Sequence, residues 1–186
     1  MTRAPFGPGM IVLGGGALLL SVLLFIGFLL PGEWEAEASA RLDATPSEVF
    51  AFLDSPGGWQ MWTPWPDSGL ERVGPDRGPG ASIRWDDPEV GSGSFTLGDV
   101  RQDESVTYAV EVAGAGNAVM RTQGSVTVVA DSGGVLVRWR EEGDLGRNPL
   151  MGFWALSMER AQSAEMSKGL DRLGELIRTA PAGTVR

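Results

Sequence analysis

Residues 10 to 30, MIVLGGGALLLSVLLFIGFLL, carry no charged side chain. As a helix rising ~1.5 Å per residue this run reaches roughly 31 Å, about the thickness of a bilayer's hydrocarbon core. Its helix would be apolar on every face, which lipid satisfies and water does not. A cleaved secretory signal is the competing reading, supported by the small residues Ala38, Ser39 and Ala40. Signal cores run about 7 to 15 residues, however, and cleavage after Ala40 would remove the first strand candidate of the following domain. The length therefore favours a retained, single-pass membrane anchor. Arg3 precedes the run and no Lys or Arg follows it until Arg41, so the positive-inside bias puts the soluble part on the extracytoplasmic side. The chain divides into a tail (1–9), a transmembrane helix (10–30), a domain (34–178) and a flexible tail (179–186).

Past Pro31-Gly32 the periodicity changes. Trp34, Ala36, Ala38, Ala40 and Leu42 alternate with polar residues, the mark of a half-buried strand. TPSEVFAFL then predicts a helix with Thr45 as N-cap, Pro46 at the first position and Glu48 completing a capping box, ended by Pro56-Gly57-Gly58. Short strand candidates follow around 82–86, 92–100, 105–112, 118–129 and 134–142, spaced so closely that they must join as antiparallel hairpins. From Pro149 to about Ile177 the period becomes helical. Met151, Ala155, Met158, Gln162, Met166, Leu170, Leu173 and Ile177 share one face there, and Asn148 is placed to cap the helix.

Composition removes several kinds of function. The formal charge is −9 and no basic run exists, which argues against a nucleic-acid partner. There is no Cys and no His, so thiol nucleophiles, Ser-His-Asp triads and His-ligated zinc are all excluded. Lys168 is the single lysine and has no Ser three residues before it. Any chemistry must come from Asp, Glu, Tyr108, Ser or Arg. Gly91-Ser92-Gly93 and Gly114-Ala115-Gly116 lack the following helix and the Lys of nucleotide loops, and read as hairpin turns and strand bulges. Asp86, Asp87 and Glu89 surround Pro88, so they read as a solvated turn rather than a cation site. Neither a cofactor nor a metal is expected.

Three segments carry a resemblance: ATPSEVFAFLDSPGGWQMWTPW (44–65), VGSGSFTL (90–97) and EEGDLGRNPLMGFW (141–154). In this order the chain resembles the SRPBCC superfamily, the START-like or polyketide cyclase and lipid transport-like proteins. Within it the chain is similar to the bacterial subgroup with one N-terminal transmembrane segment. The resemblance implies an α+β helix-grip fold, in which a curved antiparallel sheet wraps a long C-terminal helix and leaves a cavity between them. It also implies that Trp59, Trp62 and Trp65 close one end of that cavity, either as ligand-contacting wall or as plain core. Where relatives carry an apolar residue, this chain has Glu141.

The last strand, VLVRWREEGD, puts Val135, Val137, Trp139 and Glu141 on its more apolar face. Facing inward, Glu141 would be desolvated with a raised pKa or paired with Arg84 or Arg121; at the strand end it would simply sit in water. Gln162 is the polar member of the long helix's apolar stripe. With Tyr108 it is placed to orient a ligand headgroup in a pocket walled by Trp85, Phe95, Met151, Met158 and Met166. A Met-bearing stripe is equally the make-up of ordinary core. The expected function is binding of a hydrophobic small molecule or lipid by a monomeric, membrane-anchored domain, and the residues point away from catalysis. The alternatives are a cyclase- or hydratase-like enzyme using cavity carboxylates and an interaction module whose cavity is filled by its own side chains.

Overall fold

The computed structural model describes residues 8–66, 68–113, 119–146 and 149–179. Arg3, the turn at 114–116, the capping Asn148 and the tail from 180 onward lie outside them. A helix α1 (Pro8–Leu29) leads directly into strand β1 (Glu33–Leu42). Two short helices follow, α2 (Pro46–Phe50) and α3 (Pro56–Trp59). Six strands come next: β2 (Leu70–Val73), β3 (Ser82–Asp87), β4 (Gly91–Arg101), β5 (Ser105–Ala113), β6 (Val119–Asp131) and β7 (Gly134–Asp144). The last element is α4 (Pro149–Thr179). The strands form one curved antiparallel sheet in the order β1-β7-β6-β5-β4-β3-β2. Hairpins generate the run from β2 to β7, and β1 closes it by pairing with β7. With α4 lying against the inner face, this is the α+β helix-grip arrangement. α1 is long and apolar enough to cross a membrane.

Local chemistry explains the two short helices. Thr45 Oγ1 accepts from the Glu48 backbone N–H at 3.3 Å, and the Glu48 carboxylate accepts from the Thr45 N–H at 2.8 Å, so the capping box forms. Pro56-Gly57-Gly58 does not end α2, which has already stopped at Phe50. Instead Ser55 caps a second helix, its Oγ accepting from the Gly58 N–H at 3.1 Å, with Pro56 in the first turn. The sequence also gives no sign of β2, a four-residue edge strand without apolar alternation.

Register sorts the connections to two ends of the sheet. Glu33 pairs with Asp144, so α1 enters at the same end as the turn at 88–90 and the passage from β7 to α4. The turns at 102–104 and 132–133 lie at the opposite end. On α4, Ala155, Met166, Leu170 and Leu173 are buried, while Met151, Met158, Gln162 and Ile177 are half-buried, so the stripe faces the sheet.

Candidate functional site

Tyr108, Gly124 and Glu141 are level with one another on β5, β6 and β7. The middle strand offers no side chain at this point, and a Cβ on Gly124 would run into the Tyr108 ring. The phenol therefore lies flat across β6 and donates its hydroxyl proton to Glu141 Oε1 on the far strand. Glycine inside a strand costs order, and here it permits this close approach. Gln162, reaching down from α4, donates from Nε2 to Glu141 Oε2 at 2.5 Å. Trp139 Nε1 donates to the Tyr108 hydroxyl at 2.5 Å. Two elements that meet only in the tertiary fold thus converge on one carboxyl group.

Glu141 is 5% exposed. Burial pushes its pKa above the ordinary carboxylate value, and the hydrogen bonds from Tyr108 and Gln162 pull back only part of that rise. Burial likewise holds the Tyr108 phenol well above its usual value, reinforced by the adjacent Glu141 charge and hydrogen bond. Tyr108 is therefore a donor at any physiological pH. Neither Arg84 nor Arg121 serves Glu141: Arg84 is exposed, and Arg121 Nε pairs with Glu111 at 2.7 Å.

The group faces a cavity of about 260 Å³ between the sheet, the segment after α3 and the middle of α4. Aromatic rings make most of its wall. Trp59 stands 4.8 Å from Tyr108 and 5.2 Å from Phe95 between ring centroids, and Trp65 stands 5.5 Å from Phe95 and 6.1 Å from Trp85. Two larger hollows, of about 560 and 580 Å³, involve mainly exposed polar side chains and the entry to β1. Asp87 is the last residue of β3 and is buried rather than solvated: it accepts from Ser68 Oγ at 2.7 Å and from the backbone N–H groups of Glu89 and Val90 in the following turn, which lower its pKa.

Sequence comparison adds the lineage. Residues 33–178 match the model of a family described as polyketide cyclase / dehydrase and lipid transport. The chain belongs to that family. No curated protein matches this family member in sequence. Its fold is shared with solved structures of low identity. One is an uncharacterized protein from Rhizobium leguminosarum, 19% identical with a TM-score of 0.56, covering 80% of this chain and 96% of that one. Another is a truncated norcoclaurine synthase from Thalictrum flavum, 12% identical with a TM-score of 0.61, again covering 80% and 96%. A protein from Chromobacterium violaceum is 16% identical with a TM-score of 0.55, covering 78% and 98%.

Of the side chains singled out in this polyketide cyclase and lipid transport domain, Trp59, Trp85, Phe95, Tyr108, Trp139, Glu141 and Gln162 line the one cavity, as do Trp65 and Met166. Trp62 lies outside the lining, its ring 5.0 Å from that of Trp139, and Arg172 Nε donates to its carbonyl at 2.8 Å. Met151 and Met158 also stand outside it, because the cavity meets α4 at Gln162, Glu165 and Met166, about one to four turns further along. Val110 and Glu165 line the cavity without having been singled out. Gly124 does not line the cavity but makes room for Tyr108, and its signal is a lone glycine inside a strand pattern.

Proposed function

We propose that this domain binds one hydrophobic small molecule or lipid in the cavity between sheet and α4, without catalysis. In this reading α1 holds it at a membrane by a single pass, with the domain on the extracytoplasmic side and monomeric. The observation that carries the binding reading is the Glu141 carboxyl group, buried with Tyr108 and Gln162 at the edge of an otherwise aromatic space. Stability alone does not call for it, since well-packed hydrocarbon in place of buried charge is often neutral or stabilising. A polar group facing apolar space suits a ligand that has one hydrogen-bonding end. At about 260 Å³ the space lies below the ~300–1,000 Å³ of drug-sized sites, so a compact ring system fits it better than a long acyl chain. Native mass spectrometry of the full-length protein, purified in mild detergent, should find a stoichiometric apolar molecule. Protein that stays empty through lipid and metabolite extracts contradicts binding and favours an interaction module.

The raised pKa of Glu141 supports a second reading, a cyclase- or hydratase-like enzyme. A carboxyl group whose pKa lies closer to neutrality can pass a proton to or from a bound intermediate, with Tyr108 steering it. Solvent deuterium incorporated into the bound molecule by the wild type, and not by Glu141→Gln, would favour the enzyme.

A further inference from the structure

We propose that the first two turns of α4 dock into the headgroup layer of the membrane at the root of α1, so that the lipid surface is a partner of the folded domain. This rests on the reading of α1 as a membrane anchor. Gly27 belongs to the last turn of the apolar run and is buried. A Cβ on Gly27 would run into the Pro149 carbonyl oxygen and stand 2.7 Å from the Phe153 ring. A Cβ on Gly152 would stand 2.6 Å from Leu30 Cβ and 2.7 Å from the Gly27 carbonyl oxygen. Two glycines therefore bring the backbones of α1 and α4 into direct contact at a fixed level. Gly27 lies three residues, or ~5 Å, from the end of the apolar run. Whatever touches it sits where hydrocarbon gives way to headgroups.

The side chains that α4 presents there suit that layer. Trp154 is 61% exposed, Leu156 60% and Phe153 38%. Indole rings favour the headgroup level, where an apolar body and an N–H are both accommodated. From Pro149 to Met158 the helix carries no charge, and Glu159 and Arg160 are the first charged residues after it. The same end also exposes Val90 in the β3–β4 turn and Val119 and Met120 at the start of β6, interspersed with the charged side chains of Asp86, Glu89 and Arg121. The opposite end carries Asp103, Glu104, Asp131 and Ser132 at its turns. Glu33, Glu35 and Asp144 lie near the root of α1, so the attraction is apolar, and neutral lipid suffices. Docked this way, the domain turns the Trp85 and Val110 end of its cavity toward the bilayer.

The chain has no cysteine, which permits a direct depth measurement. Leu20→Cys, Trp154→Cys and Ser132→Cys, each at an exposed position, are labelled singly with a nitroxide in the full-length protein and reconstituted into phosphatidylcholine vesicles. Relaxation by oxygen, which concentrates in hydrocarbon, is compared with relaxation by a water-soluble nickel chelate. The expected result is a label at 20 dominated by oxygen and a label at 132 dominated by nickel. The label at 154 should be shifted several-fold toward oxygen relative to 132. If the label at 20 is deep while 154 is as open to nickel as 132, docking is overturned and the anchor stands. Should the label at 20 itself be open to nickel, the anchor fails and docking with it. Spin–spin broadening at 154 would mean that a second copy covers the patch, which also overturns lipid docking.

Discussion

Burying a carboxyl group costs more than the two hydrogen bonds to Glu141 return, and the raised pKa is the residue. The folded chain keeps the Glu141 proton to a higher pH than the unfolded chain does. Its stabilising contribution is thus fully present below about 4.3, the ordinary glutamate value, and is lost as pH rises through the elevated folded value. Glu141→Gln preserves volume, resembles the protonated carboxyl group in having one accepting and one donating side, and cannot ionise. In denaturant unfolding it should match the wild type at pH 4 and exceed it at pH 8; a constant difference across that range would mean Glu141 does not titrate in the fold. Gly124→Ala should cost about 1–3 kcal/mol of stability by overpacking against the Tyr108 ring, and should displace the phenol from Glu141. A chemical-shift map in which Tyr108 and Trp139 do not move would contradict that. Strand alternation puts Glu141 on the apolar face of β7 but leaves open whether it turns inward or sits in water at the strand end. Its partners are not legible in the sequence, because Tyr108 and Gln162 reach it through cross-strand register and the rotation of α4, neither of which is written in local pattern.

At the scale of elements, α3 and the segment after it form a wall rather than a connection. Trp59 Nε1 donates to the Leu53 carbonyl at 2.7 Å, Trp62 packs on Trp139, and Gly169 lets α4 come within 2.9 Å of the Trp139 ring as measured from a Cβ placed there. Arg172 ties α4 to the Trp62 carbonyl. Trp62→Ala should therefore cost roughly 3–5 kcal/mol, read from thermal or urea unfolding, and an unchanged melting temperature would show that the ring is not part of the packed wall. Strong local signals carried most of these elements: the capping box, the alternation of β1 and β7, and the stripe of α4 all formed where sequence indicated. α3 and β2 are not legible because Pro56-Gly57-Gly58 reads as a stop where Ser55 makes it a start, and because a short exposed edge strand owes its place to its neighbour β3.

For the whole molecule, among the described residues Gly27 of α1 and Leu30 just past it lie against the start of α4. The core cluster beneath, from Trp34 through Leu173, contains no described residue of α1. Residues 33–180 alone should fold with a cooperative transition like that of the intact protein, while the uncovered start of α4 gives this fragment weak affinity for vesicles. Loss of cooperative unfolding in the fragment would show that α1 supports the domain. The cavity's function is tested most directly by binding of a small hydroxylated aromatic such as 1-naphthol to the full-length protein, set beside a long-chain fatty acid and followed by tryptophan fluorescence and calorimetry. Binding at one site, preferring naphthol and weakened about tenfold in Gln162→Leu as one hydrogen bond's worth of orientation is lost, is the expected result. Affinity that is absent for every apolar probe, or unchanged in Gln162→Leu, would contradict the assignment of this cavity as a ligand site.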